Sequence, residues 1–349
     1  MLKLSDREWK EFKIIDIFKN NFHGKRLTKA KRQIGNIPLL TASEQNQGVS
    51  EFISNQDMNL FCDVITIDMF GHSFYHNYTC CGDDNIYFLI NNNISKLAKF
   101  FIIICISNNT KKYNYGNQFR QGNLNNDKIM LPINSQNEPD YDFMEKFVKE
   151  RQNKKVEEYI DYLNSKLTEL KDVKETLPLN KKEWKEFFIT DIFDEIQRGK
   201  RLTKDNQQIG NVPYVSSTAT NNGVDNFIIY DKQKMRKYID CLSVANSGSV
   251  GSCFYEPFEF VASDHVTHLK SSVFNKYSYL FISNIINRWS EKYNFNREIN
   301  DNRISREKII LPIDDNNKPD YKYMENYIKN LMKKKYNEYI NYLNNKHKQ

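Results

Sequence analysis

Apolar residues recur at steps of three and four along residues 139–171, a stretch with no glycine or proline after Pro139. This spacing is typical of an α-helix that buries one face. A helix of about 30 residues at 1.5 Å per residue is about 45 Å long. The apolar positions of this stretch are Phe143, Phe147, Val156, Ile160, Leu163, Leu167 and Leu170.

Residues 320–346 repeat this pattern near the end of the chain, but without counterparts of Leu167 and Leu170. A helix of this length needs a partner for its apolar face. We therefore predict that two helices of unequal length pair antiparallel, like a coiled coil. The residues predicted to make contacts within this helix pair or with a partner protein are Val156, Ile160, Leu163, Leu167, Ile328, Leu331, Ile340 and Leu343.

The two helices belong to a repeat that covers the whole chain. Residues 9–18 (WKEFKIIDIF) return as residues 184–193 (WKEFFITDIF), with eight of ten residues identical. GKRLTK, QIGN and LPI also occur in both copies, and the separation grows from 175 to 180 positions. We predict that the five extra residues lie in one surface loop, between Ser54 and Asp68 in the frame of the first copy.

Each copy mixes two kinds of segment. Residues 61–67, 84–90 and 258–266 are rich in β-formers and read as strands. Residues 100–106 are ambiguous alone, but their counterpart in the second copy has helical spacing, so a helix is predicted in both. The predicted fold class is α+β, with two tandem globular domains related by pseudo-twofold symmetry and separated by two long antiparallel helices. Such symmetry suits duplex DNA, whose half-sites recur about every 34–36 Å.

The composition of the chain bears on its folding, its partners and its cellular compartment. The chain has 349 residues, of which 27% are charged and 13% aromatic, and a formal net charge of +7. The aromatic content argues against disorder, and the charge is a mild indication of a polyanionic partner. No signal peptide or membrane-spanning run is evident, and six cysteines show no pattern of disulfides or zinc ligands. We expect a reduced, cytoplasmic protein with no membrane partner.

Common catalytic motifs are absent from the sequence. It has no GxxxxGK[ST], GxGxxG, HExxH or GxSxG motif, and no Pro-Pro that a methyltransferase loop would need. Pro139 and Asp140 are followed by Glu145-Lys146-Phe147, which lacks the ending of a PD…ExK nuclease motif. Asp140 is therefore interpreted as a helix N-cap. We predict that the chain is not an enzyme by itself.

Two further stretches carry weaker signals. The Gly/Ser-rich residues 247–252 are interpreted as a tight loop in preference to a phosphate cradle. His265 and His268 are interpreted as surface or core histidines, because the first copy has Asn85 and Phe88 there. We predict no metal site and no cofactor in this chain.

Basic residues cluster after a glycine in both copies. They are suited to neutralise DNA phosphates, with threonine hydroxyls beside them, although a solvated charged turn is the alternative. The predicted phosphate-contacting residues are Lys25, Arg26, Thr28, Lys29, Lys31, Arg32, Lys200, Arg201, Thr203 and Lys204.

Base reading is expected where the copies differ, because identical readers would read identical half-sites. Asn and Gln side chains can form two hydrogen bonds to adenine. The candidate base-reading residues are Thr41, Ser43, Gln45, Asn46, Gln47, Asp68, His72, Ser216, Thr218, Asn221, Asn222, Asn246, Ser247 and Ser249.

Taken together, W-K-x-F-x-I-x-D-I-F, G-K-R-L-T-K, I-G-N-x-P and L-P-I…P-D-Y…M-E, each present twice before a long helix, resemble a known family. The chain is similar to the DNA-specificity (S) subunits of type I restriction–modification systems, and most of all to the compact S subunits of BcgI-like type IIB enzymes. The resemblance implies target-recognition domains at residues 1–138 and 176–318. It implies helical spacers at residues 139–175 and 319–349.

In this family each recognition domain reads one half of a bipartite, asymmetric double-stranded DNA site. The helices set the spacing and dock DNA-methyltransferase subunits, which we expect at two per chain. S-adenosylmethionine, Mg²⁺ and ATP are expected in the partner subunits, and a nuclease or motor-nuclease is expected as a subunit or fused domain. The alternatives are a non-catalytic scaffold that binds RNA or protein, and a self-sufficient nuclease with an unrecognised site.

Overall fold

Two sets of short strands, each followed by a long helix, make up the fold. The computed structural model describes residues 1–347 of the chain. It divides into two units that meet in sequence between Tyr159 and Ile160. The mixed α+β fold class is thereby confirmed.

The first unit contains strands and helices in mixed order along the chain. They are β1 (Trp9–Lys13), α1 (Ile14–Ile17), β2 (Asn20–His23), β3 (Ile34–Leu40), β4 (Val49–Ile53), β5 (Val64–Asp68), β6 (Ser73–His76), β7 (Cys81–Gly82), β8 (Ile86–Ile90), α2 (Lys96–Thr110), α3 (Gln121–Asn126), β9 (Lys128–Pro132) and α4 (Tyr141–Glu169), which continues into the second unit.

Strand β5 is the centre of the first unit. It lies in an antiparallel sheet of order β2-β8-β5-β6, beside a three-stranded sheet of order β4-β3-β7. Ile65 and Ile67 belong to the core that includes α2, whereas Val64 packs with Leu40 of β3. All five residues of β5 are buried, because successive side chains of the strand point alternately to its two faces and both faces are covered.

The second unit has the same order of elements with one short strand added. They are β10 (Trp184–Phe188), α5 (Ile189–Ile192), β11 (Glu195–Arg198), β12 (Ile209–Val215), β13 (Val224–Ile228), β14 (Lys237–Tyr238), β15 (Cys241–Ala245), β16 (Cys253–Glu256), β17 (Phe260–Ala262), β18 (Val266–Lys270), α6 (Lys276–Asn287), α7 (Asp301–Ile304), β19 (Lys308–Pro312) and α8 (Tyr321–His347).

The sheets of the second unit reproduce those of the first. Their orders are β11-β18-β15-β16 and β13-β12-β17-β14, and β10 pairs with β19 as β1 pairs with β9. Helices α2 and α6 confirm the helix predicted at residues 100–106 and in the second copy. The sequence repeat is therefore also a structural repeat.

The prediction of one strand at residues 258–266 is wrong. The chain forms β17, turns at residues 263–265, and continues as β18 in the other sheet. The turn is closed by a hydrogen bond from the amide of Val266 to the carbonyl of Ser263 (3.1 Å). A continuous apolar run cannot show in sequence that it changes sheets halfway.

The prediction that all five extra residues lie in one loop is also wrong. Val64 pairs with His76, and the equivalent Cys241 pairs with Glu256. The separation is thus 177 positions at β5 and β15 and becomes 180 only after them. Two extra residues precede β15, and three lengthen the connection between β15 and β16.

Helices α4 and α8 begin as the sequence predicts. Oδ1 of Asp140 accepts the amide of Phe143 (2.9 Å), and Oδ1 of Asp320 accepts the amide of Tyr323 (2.9 Å). Each aspartate thereby satisfies one of the amides that a helix N-terminus leaves unpaired. The N-cap role of Asp140 is confirmed.

The first turns of these helices belong to the globular cores. Phe143 and Phe147 pack in the core of the first unit, and Met324 and Ile328 in that of the second. Ile328 therefore packs in the globular core of the second unit, and its role as a partner contact stays a prediction. Leu163 and Leu343 are buried, and Leu331 is 43% exposed. The remaining predicted positions, Val156, Ile160, Leu167 and Ile340, are partly buried.

Within the second unit, the chain from the end of α4 onwards runs antiparallel to α8. Lys166 interacts electrostatically with Tyr336. Further along, the carbonyl of Lys174 accepts Nδ2 of Asn330 (2.8 Å), and the carbonyl of Leu177 accepts the hydroxyl of Tyr323 (2.8 Å). Residue numbers rise along the first segment and fall along α8, so the two segments are antiparallel over this stretch.

Candidate DNA interface

A basic turn follows β2 in the first unit, at residues 24–32. Its main chain is fixed to the end of β7 and the start of β8, because the amide of Gly24 donates to the carbonyl of Ile86 (2.8 Å) and that of Lys25 donates to the carbonyl of Gly82 (3.0 Å). A Cβ atom on Gly24 would lie 1.9 Å from the carbonyl oxygen of Asp83. The turn therefore requires glycine at its start, and it projects from a fixed base.

Two of the five basic side chains in this turn already have acidic partners. Lys25 lies 2.9 Å from Asp57, and Arg32 lies 2.9 Å from Glu51. The hydrogen bond and charge of Lys25 lower the pKa of Asp57. Arg26, Thr28, Lys29 and Lys31 have exposed side chains. Arg26, Lys29 and Lys31 are thus the exposed cations of this turn outside the two ion pairs.

The second unit repeats this basic turn at residues 199–204. The amide of Gly199 donates to Val266 (3.0 Å) and that of Lys200 to Ala262 (3.2 Å). A Cβ atom on Gly199 would lie 2.0 Å from the carbonyl of Ala262. Nζ of Lys200 donates to the carbonyl of Gln233 (3.4 Å), whereas Arg201 and Lys204 are exposed.

A polar loop connects β3 to β4 at residues 41–48, and its equivalent is residues 216–223. Asn46 and Gln47 adopt left-handed φ angles of 50° and 56°, and Asn221 and Asn222 adopt 50° and 53°. Asparagine tolerates this conformation better than most residues. Each loop is closed by one main-chain hydrogen bond. The carbonyl of Gly48 accepts the amide of Thr41 (2.8 Å), and the carbonyl of Gly223 accepts the amide of Ser216 (2.9 Å).

The polar loops expose the side chains that could read bases. Gln45, Asn46 and Gln47 are exposed in the first loop, as are Asn221 and Asn222 in the second. Four shorter side chains of these loops are only partly exposed, and they are Thr41, Ser43, Ser216 and Thr218. Among them, Ser43 accepts the amide of Gln45 (3.1 Å) and Thr218 contacts the hydroxyl of Thr220 (2.9 Å).

The hairpin turn between β5 and β6, at residues 69–72, is held by Asp68. Its buried carboxylate accepts the amides of Phe70 (2.8 Å) and His72 (2.9 Å) and contacts Nδ1 of His72 (2.8 Å). The other ring nitrogen of His72 lies 2.8 Å from Glu44. The prediction of base contacts is therefore wrong for Asp68, whose oxygens hold the turn.

The corresponding turn in the second unit, at residues 246–252, is longer and differently held. Asn246 is 0% exposed, its carbonyl accepts the amide of Ile299 (3.0 Å), and its Oδ1 accepts the hydroxyl of Thr267 (3.0 Å). Ser247 is buried and contacts Nδ1 of His265 (2.7 Å). Base contacts are therefore wrong for Asn246 and Ser247 as well.

For Ser249, contact with a DNA base stays a prediction. Its side chain is partly exposed, and its amide donates to the carbonyl of Ser217 (3.0 Å). This hydrogen bond joins the hairpin turn to the polar loop of the second unit. The contact between His72 and Glu44 joins the same two segments in the first unit. Each unit thus presents a basic turn, a polar loop and a hairpin turn on linked elements.

The model of one protein family matches both halves of the chain. Its description is Type I restriction modification DNA specificity domain, and it matches residues 6–158 and 181–341. The chain belongs to this family. The resemblance stated from the sequence is confirmed, and the two units each carry one specificity domain.

Two known proteins are similar to this chain over most of its length. The chain is 26% identical over 315 residues to the Type II restriction enzyme BgcI specificity subunit S.BcgI of Heyndrickxia coagulans, covering 88% of this chain and 89% of the relative. Its fold is similar to that of the Type-I restriction-modification system S subunit from M. genitalium, with a TM-score of 0.51 and 13% identity over 99% of this chain and 96% of that one. At 13% identity, the second likeness concerns the fold alone.

Sequence reasoning missed one feature of both specificity domains. A loop at residues 112–120 carries Tyr115 at its tip, and the equivalent loop at residues 292–300 carries Phe295. These side chains are 83% and 78% exposed. The signal for these loops was the repeated sequence Lys-Tyr-Asn-aromatic at residues 112–115 and 292–295. It was visible, but nothing in it marks which aromatic residue is buried.

Glu256 and His76 are buried titratable groups at the far end of the strands from the hairpin turns. Burial raises the pKa of Glu256 to about 7 and lowers that of His76 to about 4. Both occupy the last position of their strand, opposite the first residue of β15 or β5. Glu256 accepts the hydroxyl of Ser243 (2.8 Å) in a fully buried contact, which suits a structural role.

Residues 1–347 offer no cluster of side chains for metal chemistry. No group of three or more His, Cys, Asp and Glu side chains there could hold a metal ion. His268 is buried, with Nδ1 against the carbonyl of Gln197 (2.8 Å), while His265 is exposed. In the same part of the chain, no helix has the length and apolar character needed to cross a membrane.

Proposed function

We propose that this chain binds double-stranded DNA as the specificity subunit of a restriction–modification complex, and that each specificity domain reads one half of a bipartite, asymmetric site. Membership of the family supports the role in DNA specificity. The name of the S.BcgI relative supports assignment to a restriction enzyme. The chain itself is proposed to be non-catalytic.

One observation carries the asymmetry of the site. The two domains share their sheets and their fixed basic turns, but they differ in the loops that those sheets support. The polar loops read TASEQNQG and SSTATNNG, and the hairpin turn is three residues longer in the second domain. Different side chains on one scaffold present different hydrogen-bonding patterns to base edges. The two half-sites should therefore differ in sequence.

The chain is further proposed to bind two identical methyltransferase subunits. Each domain carries an equivalent apolar groove beside its terminal strand pair, with volumes of about 680 Å³ and 890 Å³. Equivalent residues line the two grooves, and they include Trp9, Phe101 and Met130 in the first domain and Trp184, Phe281 and Ile310 in the second. Two copies of one groove fit two copies of one partner.

In this proposal the helices α4 and α8 set the distance between half-sites. S-adenosylmethionine, and any Mg²⁺ or ATP, would be held by the partner subunits. Cleavage would come from a nuclease or motor-nuclease subunit or fused domain. The chain would contribute recognition and geometry to the complex.

The test compares methylated adenines by long-read sequencing in two hosts. One host expresses this chain with its neighbouring methyltransferase gene, and the other expresses the methyltransferase alone. We expect a split, asymmetric motif only when the chain is present. A third host carries a chain in which residues 176–318 are replaced by residues 1–138, and there both halves of the motif should have the same sequence.

Three results would contradict the proposal. A motif that is the same with and without the chain would remove its role in specificity. An unchanged asymmetric motif after domain replacement would remove the assignment of one half-site to each domain. Metal-dependent cleavage by the purified chain alone would favour the self-sufficient nuclease, and equal competition by duplex RNA would favour an RNA-binding scaffold.

A further inference from the structure

Tyr115 and Phe295 occupy equivalent positions at the tips of the loops at residues 112–120 and 292–300. Each loop also contains a tyrosine, Tyr113 or Tyr293, that is buried in the core of its domain. Among the aromatic side chains of the part of the chain that the structure describes, these two are the most exposed. The pattern of one aromatic buried and the next exposed occurs in both domains.

The first tip loop has a preformed shape. The amides of Asn114 and Asn117 each donate to the other's carbonyl (3.0 and 3.1 Å), and Oδ1 of Asn114 accepts the amide of Gly116 (2.9 Å). Nδ2 of Asn117 donates to the carbonyl of Lys112 (3.2 Å). These contacts hold Tyr115 outward without help from its own side chain.

The second tip loop has the same construction. The amide of Arg297 donates to the carbonyl of Asn294 (2.9 Å), and the reverse contact is 3.3 Å. Oδ1 of Asn294 accepts the amide of Asn296 (3.0 Å). A rigid loop that presents an aromatic ring loses little conformational entropy when that ring binds.

Each tip loop is fastened to the hairpin turn of its own domain. The amide of Phe119 donates to the carbonyl of Met69 (2.8 Å), and the amide of Ile299 donates to Asn246 (3.0 Å). Phe119 and Ile299 are fully buried, which makes these attachments firm. The exposed rings are therefore presented together with the hairpin turns and polar loops.

Cationic side chains accompany the rings. Lys111 and Arg120 flank the first tip and are exposed, and Nη1 of Arg120 donates to Asn85 (3.2 Å). Arg297 and Arg303 are exposed beside the second tip. Aromatic rings among cations are the combination by which proteins hold the bases and backbone of nucleic acids.

We propose that Tyr115 and Phe295 insert against the bases of the bound duplex and locally unstack them, one ring in each half-site. This inference rests on the proposed DNA-binding function. Apolar and aromatic wedges of this kind act between base-pair steps and deform the duplex. Because every base has an aromatic face, the rings strengthen binding and deformation and do not themselves select a base.

The difference between the two tip residues predicts which side-chain atoms DNA binding requires. A tyrosine stands at one tip and a phenylalanine at the other, so the hydroxyl is dispensable. Tyr115→Phe and Phe295→Tyr should bind DNA as the unaltered chain does. Tyr115→Ala and Phe295→Ala should each weaken binding about fivefold or more, the range found when a base-stacking aromatic is removed.

The test uses the full chain and a duplex that carries the motif found by methylation sequencing, with 2-aminopurine at successive adenines of each half-site. Fluorescence anisotropy measures affinity, and 2-aminopurine emission measures unstacking. Wild type should raise the emission at one position per half-site, and Tyr115→Ala should abolish only the signal in the half-site of the first domain. Phe188→Ala, which removes an exposed aromatic from β10, is the matched control and should change neither readout.

Each outcome has a defined meaning. Equal affinity and emission for Tyr115→Ala and wild type would overturn the inference and leave the DNA-binding function intact. If the chain directs no motif in the host, the proposed function itself is overturned. Normal DNA binding by Tyr115→Ala with loss of the methyltransferase subunit in co-purification would show that the tips are protein contacts, which also overturns the inference. Thermal melting of each variant establishes that it is folded.

Discussion

Nε2 of His72 lies 2.8 Å from Oε1 of Glu44, and this contact joins the hairpin turn of the first domain to its polar loop. We predict that His72→Ala and Glu44→Ala relax the sequence of one half-site, because the polar loop is then no longer tied to the turn by this pair of side chains. Glu44→Gln keeps an acceptor oxygen and should retain the sequence. Methylation sequencing of the three variants provides the measurement, and relaxation of both half-sites would contradict the assignment.

Glycines at the start of the basic turns should not tolerate a side chain. Gly24→Ala and Gly199→Ala each place a Cβ about 2 Å from a carbonyl oxygen, and we expect a loss of about 1–3 kcal/mol in the free energy of unfolding. Urea denaturation measures this loss. Gly122→Ala is the control, because nothing lies within 4 Å of its Cβ in helix α3, and it should be neutral or slightly stabilising. Equal effects at the three positions would count against the close approach.

Exposed cations of the first basic turn should govern the salt dependence of DNA binding. Replacing Arg26, Lys29 and Lys31 by alanine should lower the slope of log K against log salt by about 0.9 for each phosphate that the turn no longer neutralises. Titrations of duplex DNA at several salt concentrations give that slope. The control replaces Lys10, Lys13 and Lys19, which are exposed near β1 and carry the same total charge. An equal fall in both triple variants would show that net charge, and not the turn, is responsible.

Glu256 should make the stability of the second unit depend on pH. Burial raises its pKa from 4.5 to about 7, so the folded state binds the proton more tightly than the unfolded state does. Its contribution to the free energy of unfolding is fully present below pH 4.5 and is lost as pH rises through 7. The loss is about 3 kcal/mol at most. Glu256→Gln stays neutral, so its melting temperature should gain on wild type across that window. Parallel melting curves from pH 4.5 to 8 would contradict the shift.

The first unit should show the opposite dependence through His76. Burial lowers the pKa of this histidine from 6.5 to about 4, so protonation favours the unfolded state. The stabilising contribution of neutral His76 is present above pH 6.5 and is lost as pH falls through 4. Differential scanning calorimetry of Glu256→Gln should therefore retain a loss of stability on the acid side. A flat profile below pH 6.5 would contradict this assignment.

The equivalent apolar grooves should each bind one methyltransferase subunit. Met130→Arg and Ile310→Arg place a charge on exposed positions of β9 and β19 in those grooves. We expect each single variant to bind one methyltransferase subunit and the double variant to bind none, as counted by native mass spectrometry. Leu60→Arg, at an exposed position outside both grooves, should still bind two. DNA binding by the chain alone should persist in all of them.

Local patterns predicted much of this structure. Helices α4 and α8 and their capping aspartates follow from residues close together in sequence, whose hydrogen bonds span three or four positions. Helix α2 was predicted through its counterpart in the second copy. The strand predicted at residues 258–266 failed because its two halves pair with different partners, β12 and β14 on one side and β11 and β15 on the other.

The candidate site divides in the same way. Sequence alone determined the repeat, the two long helices, the basic turns and the loops in which the copies differ, because all of these are properties of residue order. Tertiary structure decided which side chains in those loops are available. Asn246 is buried and accepts hydrogen bonds from Ile299 and Thr267, Lys25 is paired with Asp57, and Tyr115 is exposed to solvent. Burial and ion pairing depend on residues tens of positions away, so no local pattern contains them.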